Sequence, residues 1–429
     1  MAENNGMFSE SEPWSRLDNA AKLFPSTTKK SDTRVFRFSC DLDHDIDKEI
    51  LQQAADMTAD DFPGYMCVIQ KGFFWYYLEH CELRPVVTEE DLPVCAELYD
   101  PESRGLLFRI SYRKNSVNFE VFHALTDGNG ALRFFKALIY NYLLLRFPEE
   151  YREPPKETVD ASTSQKSDDS FRRYYDPKAI KKVKDKKPKR RAYHLTGEPA
   201  REYRLQVIEG ICSVESVHDM AKRSGTTITV FLTALFMQSI RKEMPLSGLK
   251  HPMVINVPVD LRNYFPSETA KNFFSTIGVE YDFKKRSGEL SDIIAEVDKG
   301  FKSELTEEKL AARMNRMASL EHNAAARIAP LPLKNFVLRC ARSIKDDYET
   351  AVVSNIGRIT MPAEMERHII QFGILISTMK LQMCICSFGD RLQIGFTSGF
   401  TGTDIQRDFF RSLSEMGIGV EIRANGFFS

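Results

Sequence analysis

The sequence predicts an α+β protein of two domains, and three observations support this prediction. The chain has 429 residues, which is long for one domain and usual for two. Apolar residues make up 42% of it, which is enough to form a sizeable core. Strand-like and helix-like runs recur in both halves, and several strands follow one another as hairpins. This mixed order is typical of α+β domains.

The first half of the chain alternates between strand and helix patterns after a polar start at 1–30, which we interpret as a docking segment with a few apolar anchors. Period-two alternation and aromatic enrichment predict strands at 34–42, 65–79, 105–112 and 116–122. Only 113–115 separate the last two strands, which is hairpin spacing. Helices are predicted after Asp45 or Asp47, either of which can serve as an N-cap, and over 129–146.

Residues 151–195 differ in composition from both flanking parts, and we predict a basic linker here between domains at 1–150 and 196–429. Prolines and small polar residues are followed by a lysine-rich run at 178–191. Its few apolar residues and Pro188 favour a solvated linker. The alternative is an electrostatic site for a phosphorylated ligand such as coenzyme A.

The second half repeats the mixture of strands and helices. Strands are predicted at 202–208, 253–259, 273–281, 351–354 and within 369–397, and helices at 213–225, 227–240, 291–320, 331–342 and 404–416. Ser213 is placed to cap the first helix and Gly225 to end it, and either Thr227 or Thr229 opens the second. The helix after Thr227 is apolar nearly all round, so we expect it to be buried. Gly389 and Asp390 mark a tight turn between two strands.

Charge and cysteine content exclude several classes of function. The net charge of −1 gives no reason to expect nucleic-acid binding. We expect a cytoplasmic protein without integral membrane association, because the first residues lack the apolar core of a secretion signal and no run approaches about 18 apolar residues. Eight cysteines include no Cys-x-x-Cys pair, so we expect free thiols and no metal site; Cys384 and Cys386 lie in an apolar run.

Residues 123–128, His-Ala-Leu-Thr-Asp-Gly, are the segment that indicates chemistry. A predicted strand ends at His123 and a predicted helix begins after Gly128, and such junctions expose backbone N–H groups and reactive side chains. The histidine is suited to act as a base near neutral pH, and the glycine permits a tight turn. Alone, the pattern also fits a packed or solvent-facing histidine that ends a strand.

Four features together resemble the chloramphenicol acetyltransferase-like superfamily of acyltransferases, and bacterial alcohol acetyltransferases most closely. They are the His-x-x-x-Asp-Gly motif at 123–128, Asn-Val-Pro-Val-Asp-Leu-Arg at 256–262, Asn-Phe-Phe at 272–274 and Ser-Asn-Ile-Gly at 354–357. Their order is the order seen in the superfamily, over nearly the whole chain. Phe122 replaces the first of two adjacent histidines usual in condensation domains, and the Asp-Phe-Gly-Trp-Gly signature of plant enzymes is absent. Both departures argue against a peptide synthetase or plant-type role.

The resemblance implies two acetyltransferase-like domains with an active-site channel between them, and His123 at its centre as general base. It implies that Asp127 pairs with Arg262 and so holds the motif turn and joins the domains. The alternatives are a simple turn residue for Asp127 and an exposed surface side chain for Arg262. Gly128, Ser354 and Asn355 are candidates to stabilise the oxyanion or line the site. The alternative for Asn355 is a residue that only forms the turn before Ile356 and Gly357.

The expected function is an acyl-CoA-dependent O-acyltransferase that transfers an acyl group directly to an alcohol. No cofactor is expected beyond acyl-CoA as co-substrate, and a monomer is sufficient for a channel formed by two domains of one chain. An amine acceptor stays open, as do the acyl chain length and the identity of the acceptor. The alternatives are a condensation-type enzyme that uses a carrier-protein thioester, and a catalytically silent binding module of the same fold.

Overall fold

The computed structural model describes residues 14–18, 21–155, 170–176, 190–267, 269, 271–322 and 328–425. Strands and helices alternate along these residues, which confirms the α+β prediction. The strands are β1 Trp14–Arg16, β2 Val35–Leu42, β3 Cys67–Lys71, β4 Tyr76–His80, β5 Thr88–Glu89, β6 Phe108–Arg113, β7 Ser116–Phe122, β8 Gln206–Ser213, β9 Met253–Asp260, β10 Phe274–Tyr281, β11 Ala351–Arg358, β12 Ile369–Ile376, β13 Leu381–Phe388, β14 Arg391–Ser398 and β15 Glu421–Ala424. The helices are α1 Leu23–Thr27, α2 Lys48–Asp61, α3 Gly128–Arg146, α4 Ser170–Arg173, α5 Val214–Arg223, α6 Ile228–Glu243, α7 Leu290–Glu304, α8 Glu307–His322, α9 Leu331–Asp346 and α10 Asp404–Glu415.

Two large sheets organise the described residues. A five-stranded sheet has the order β12-β2-β7-β6-β5, antiparallel except where β5 meets β6. A seven-stranded sheet has the order β10-β9-β11-β13-β14-β8-β15, in which β11 runs parallel to both of its neighbours. A small antiparallel sheet of β1, β4 and β3 stands apart from both. The predicted hairpins β6–β7 and β13–β14 are both present.

The first core forms where α2 and α3 pack on each other beside the five-stranded sheet. Asp47 caps α2 by accepting a hydrogen bond from the N–H of Ile50 at 3.1 Å. Asp127 caps α3 in the same way, through the N–H of Gly130 at 3.0 Å. Phe134 and Phe135 on α3 are fully buried and pack on Phe119 of β7. The strand that ends at the motif and the helix that follows it therefore share one apolar core.

The second core surrounds α6, which is buried along most of its length, as its apolar sequence predicts. Thr227 caps this helix, and Ser213 caps α5 by accepting from the N–H of Ser216 at 3.1 Å. Gly225 follows α5 with a φ of +72°, which a residue with a Cβ rarely adopts. Helices α7 and α10 pack on α6. This core and its seven-stranded sheet form the second lobe, and the first core with the five-stranded sheet forms the first.

Strand β12 joins the two lobes. It comes from the second half of the chain, yet it pairs with β2 in the first sheet and also packs on β13 and β14. The backbone N–H of Ile374 donates to Gln393 of β14 at 3.4 Å, and Gln393 donates to Glu209 of β8 at 2.8 Å. Strand β12 thus belongs to the second half of the chain by sequence and to the first lobe by its sheet. The domain boundaries at 150 and 196 stay a prediction.

Three predicted elements differ from the structure. The strand expected at 202–208 begins only at Gln206, because Glu202 and Tyr203 adopt positive φ angles and form a turn instead. The charged helical region at 291–320 is two helices, since α7 ends before Leu305 and α8 begins at Glu307. Strand β11 continues through the predicted turn after 354, as described below.

The amino-terminal anchors and the basic run at 178–191 are only partly described. Leu17, Ala21 and Phe24 are buried, and Trp14 is 42% exposed with its ring edge-on to Tyr77. The lysines of the basic run lie outside the described residues. Its Arg190 forms an ion pair with Asp282 at 2.7 Å. None of the described helices has the length and apolar character required to cross a membrane.

Gly210 in β8 offers a test of packing in the second lobe. A Cβ on this residue would lie 2.1 Å from the ring of Phe410 on α10, which itself packs on Phe396 and Phe409. We expect Gly210→Ala to reduce the free energy of unfolding by about 1–3 kcal/mol, because the ring has no room to withdraw. Urea unfolding followed by circular dichroism measures this effect.

The matched control is Gly402→Ala, because a Cβ at Gly402 would meet nothing within 4 Å. Its free energy of unfolding should change by less than about 0.5 kcal/mol. Equal effects of the two substitutions would contradict the packing at Phe410.

Candidate active site

His123 lies where β7 ends and the loop to α3 begins. Its backbone N–H donates to the carbonyl oxygen of Arg34 at 2.9 Å, and the N–H of Leu125 donates to the carbonyl oxygen of Phe122 at 2.9 Å. Arg34 has a φ of +56°, a left-handed conformation that is costly for a residue with a Cβ. Arg34, whose carbonyl oxygen binds the backbone N–H of His123, therefore has a strained backbone.

Three aromatic rings surround the imidazole of His123. Phe24 of α1 stacks on it with ring centroids 4.5 Å apart, Phe36 of β2 contacts it edge-on at 5.0 Å, and Phe274 of β10 lies at 5.5 Å. Removal from water disfavours the charged form of the ring and lowers the pKa of His123 below its ordinary value of about 6.5. The imidazole is therefore neutral at pH 7.

Asn272 determines which nitrogen of His123 carries the proton. Its Nδ2 donates to the Asp18 carboxylate at 3.0 Å and to the carbonyl oxygen of His123 at 3.2 Å, which fixes the orientation of the amide. Its Oδ1 therefore faces Nδ1 of His123, at 3.1 Å, and accepts a hydrogen bond from it. Since Nδ1 holds the proton, Nε2 keeps the lone pair that a base requires.

Asp127 connects the motif to the second lobe. While its Oδ1 caps α3, its Oδ2 accepts from the backbone N–H of Phe273 at 2.8 Å and from Nη1 of Arg262 at 2.8 Å. Both side chains of the ion pair are more than nine-tenths buried. The carboxylate is thus held by a helix start, a strand start and a guanidinium at once.

Arg262 uses all three of its nitrogens in this contact. Nε and Nη2 donate to the carbonyl oxygen of Thr269 at 3.2 and 2.8 Å, and Nη2 also donates to that of Lys271 at 2.8 Å. Nη1 is shared between Asp127 and Asp260. Burial alone would lower the pKa of Arg262, but the two carboxylates outweigh it and raise the pKa. The side chain is charged and saturated with acceptors, so it is not an exposed surface arginine.

The oxyanion candidates lie on both sides of the contact between the lobes. Ile356 of β11 packs directly against Gly128, where a Cβ would lie 2.8 Å from its Cδ1. Asn355 lies within β11 at a β-bulge that leads to Gly357, so the strand continues past the residue and its side chain also forms a local turn. Its Nδ2 donates to Thr229 at 2.8 Å, and its Oδ1 accepts from the N–H of Gly357 at 2.7 Å. Ser354 is buried, with its backbone opposite Cys384 of β13.

Comparison with known proteins gives a result for structure only. No protein-family model and no curated protein matches the sequence. Trichothecene 15-O-acetyltransferase from Fusarium sporotrichioides is 12% identical over 94% of each chain, with a TM-score of 0.61. The first condensation domain of the calcium-dependent antibiotic synthetase is 14% identical over 96% of this chain and 100% of that chain, with a TM-score of 0.65. The starter condensation domain of rhizomide synthetase, solved with C8-CoA and Leu-SNAC, is 12% identical over 93% of each chain, with a TM-score of 0.60.

The chain has the acetyltransferase and condensation-domain fold. The predicted resemblance to this superfamily is therefore confirmed at the level of the fold. Identities of 12–14% do not transfer a substrate, so the chemistry has to be argued from the residues of this chain.

Sequence reasoning missed three residues that act on His123. Asn272 was part of a motif in the sequence but had no role assigned to it, and its contact with Nδ1 of His123 spans 149 positions. Asp18 lies in the amino-terminal segment, which was interpreted only as a docking segment. Asp18 and its apolar neighbour Leu17 are both buried. Arg34 could not be identified from the sequence, because an arginine gives no indication that its φ angle is positive. The motif residue Asp127 and its partner Arg262 do lie together.

One group of side chains in the described part of the chain could hold a metal ion. Asp43, His44 and His368 have ligand atoms within 4.8 Å of one another. Asp43 is already hydrogen-bonded to Nδ1 of His44 at 2.6 Å and to Nδ1 of His368 at 3.2 Å. Asp43 follows the far end of β2 from Phe36, about 20 Å along the strand, so this group takes no part in events at His123.

The ion pair of Asp127 and Arg262 offers a test of how the motif is held. Asp127→Ala removes the helix cap and leaves a buried guanidinium with one carboxylate fewer. We expect it to reduce the free energy of unfolding by about 3–5 kcal/mol. Asp127→Asn should cost less, because asparagine still caps α3. Urea unfolding of both variants measures the difference.

The control is Asp404→Ala, which removes an exposed ion pair with Arg407 in the first turn of α10. Exposed pairs contribute about 0–1 kcal/mol. If Asp127→Ala cost no more than this control, the pair would not be the constraint that the buried geometry indicates.

Proposed function

We propose that the protein is an acyl-CoA-dependent O-acyltransferase in which His123 is the general base. The observation that carries this proposal is the state of His123: a neutral imidazole with its Nδ1 proton directed to Asn272 and its Nε2 lone pair available. Deprotonation of an alcohol requires a neutral base with a free lone pair, and His123 is in this state.

In the proposed reaction, the hydroxyl oxygen of the acceptor attacks the thioester carbonyl carbon while Nε2 of His123 takes the hydroxyl proton. The tetrahedral intermediate then expels the thiolate of coenzyme A as the carbon–sulfur bond breaks. The imidazolium returns its proton to that thiolate, and the products are an ester and free coenzyme A. No oxidant, metal or covalent acyl-enzyme is required.

The cysteines support direct transfer over a covalent route. Burial raises the pKa of Cys384 and Cys212 to about 12, and raises the pKa of Cys40 and Cys95 well above its ordinary range. A thiol has to ionise before it becomes a nucleophile, so these four are poor ones. None of the chain's cysteines forms a disulfide, which supports a cytoplasmic location.

For the oxyanion we favour the backbone N–H of Gly128 as donor. It lies in the first turn of α3, where N–H groups have no partner within the helix and the helix dipole favours negative charge. Losing one such donor costs about 2.7–4 kcal/mol in the transition state. The Asn355 amide already donates to Thr229, so we assign Asn355 and Ser354 to lining the site.

We propose an acyl-CoA donor, an alcohol acceptor and a protein that acts as a monomer with no further cofactor. An amine acceptor would use the same base. The structural likeness to condensation domains favours one second candidate, transfer from a carrier-protein thioester. Acyl-CoA and the carrier-protein thioester can be tested in the same assay, and the rates of acyl transfer show which of them is the donor.

Removal of the base is the direct test. We expect His123→Ala to lower the rate of coenzyme A thiol release from acyl-CoA in the presence of alcohols by about 10²–10⁴-fold. A panel of acyl chain lengths and acceptors, with products identified by mass spectrometry, also determines the substrate class. His218→Ala is the matched control, because His218 is exposed on α5. Equal thiol release by wild type and His123→Ala across the panel would sink the proposal.

The pH dependence tests the aromatic cover of His123. The base works when neutral, so kcat/KM should fall only as pH drops through a value below about 6.5. Phe24→Ala admits water to the ring, which removes the cause of the lowered pKa and should move this acidic limb upward. Phe24→Leu keeps an apolar cover and should move it less. A wild-type limb above 6.5, or no difference between the variants, would contradict the assigned environment.

A further inference from the structure

Helix α9 turns its apolar side to solvent. Leu333, Phe336, Val337 and Ile344 are between 55% and 65% exposed, and Cys340 is exposed between them. Their spacing of three, four and seven positions places all five on one face of the helix. Helices of soluble domains normally bury such a face against the core.

The opposite side of α9 faces the protein and is mostly polar, apart from the buried Leu331 and the half-buried Leu338. Lys334 donates to the carbonyl oxygen of Phe74 at 2.9 Å, and its ammonium lies 3.4 Å from the centre of the Trp75 ring. Asn335 donates to the hydroxyl of Tyr76 at 2.9 Å, and Arg339 donates through Nε to the carbonyl oxygen of Ser26 at 2.8 Å. The helix is thus held to the protein by polar contacts, and its exposed apolar face is not the result of loose docking.

Two phenylalanines extend this face. Phe73 is 73% exposed and Phe74 is 43% exposed, and the carbonyl oxygen of Phe73 accepts from the first N–H of α9 at 3.0 Å. We call the whole set the apolar ridge; it comprises Phe73, Phe74, Leu333, Phe336, Val337, Cys340 and Ile344. Contiguous exposed apolar surface of this kind marks an interaction site.

Basic side chains border the ridge. At 100° per residue, Arg339 lies 60° from Phe336, at one edge of the apolar face, and it is exposed. Lys29 and Lys30 are exposed just past the end of α1, which packs on α9. Helix α9 carries four basic residues and one acidic residue, Asp346, which pairs with Arg342 at 2.9 Å. The border is therefore complementary to an anionic surface.

We propose that the apolar ridge docks onto an anionic phospholipid surface, with α9 lying in the plane of the interface. Apolar side chains flanked by Lys and Arg are the composition of helices that bind in this way. At 16 residues α9 is about 24 Å long, and its inner face is tied to the protein, so it lies on the bilayer without crossing it. Lysines and arginines near the surface contribute through attraction to anionic headgroups.

Docking by the ridge would bring the candidate active site near the lipid. Helix α1 lies between the two: its Ser26 accepts from Arg339 of α9, and its Phe24 stacks on His123. If the proposed function holds, this arrangement favours an acceptor or acyl donor that partitions into membranes. Vesicle binding does not depend on that chemistry, so it can be tested even if no transferase activity is found.

The experiment is flotation of the full-length protein with vesicles of phosphatidylcholine alone or with added phosphatidylglycerol. Wild type should float with the anionic vesicles, bind neutral ones more weakly and release as salt rises. The double variant Phe336→Glu, Val337→Glu should bind at least about tenfold more weakly, and the double variant Lys29→Gln, Lys30→Gln about fivefold. Leu246→Glu, at an 80% exposed leucine outside the ridge, is the matched control and should bind like wild type. Circular dichroism establishes that each variant is folded.

Three results would overturn the proposal. One is absence of binding to anionic vesicles, and another is equal binding by wild type and the Phe336→Glu, Val337→Glu variant. The third is a dimer in solution that this variant dissociates while vesicles bind neither protein, which would assign the ridge to a second copy of the chain.

Discussion

The contact between Asp127 and Arg262 is the constraint on which the candidate site depends. A carboxylate at the start of α3 would normally do no more than cap the helix, a contribution of about 1 kcal/mol. Here the same carboxylate also accepts from the N–H of Phe273 and from a buried guanidinium. Because Arg262 in turn binds two backbone carbonyls of the segment that leads into β10, the start of that strand is fixed relative to α3. One ion pair therefore sets the relative position of a helix in one lobe and a strand in the other.

The state of His123 follows from that position. Asn272 immediately precedes Phe273, so the bond from Phe273 to Asp127 also determines where the Asn272 amide lies. That amide holds Nδ1 of the imidazole, and Phe274, one residue further on, covers the ring. Three consecutive residues of the second lobe thus anchor the motif, orient the imidazole of His123 and cover it. The Asp of the motif does not touch the imidazole, but it positions the residue that does.

Sequence reasoning predicted what is local and missed what is not. Ser213 was identified as a helix cap, and Asp47 and Thr227 were each one of two candidates, because a cap requires only a short polar side chain and an N–H two or three residues later. The pairing of β12 with β2 and the contact of Asn272 with His123 join distant parts of the chain, and periodicity carries no information about such partners. Helix α9 is a third kind of case. Its existence was predicted over 331–342, but that prediction did not say which side faces the core, and here the side that carries Lys334 and Asn335 does.

The lowered pKa of His123 has opposite effects on the two proton transfers of the proposed reaction. Burial makes the imidazole a weaker base, and a weaker base removes the hydroxyl proton less readily. Yet burial keeps the ring neutral at pH 7, and the fixed tautomer makes Nε2 available in every molecule. The second transfer gains, because an imidazolium of low pKa gives its proton readily to a thiolate, whose conjugate acid has an ordinary pKa of about 8.5. A buried, oriented imidazole is therefore matched to a thioester donor, where the leaving group is the thiolate that has to be protonated.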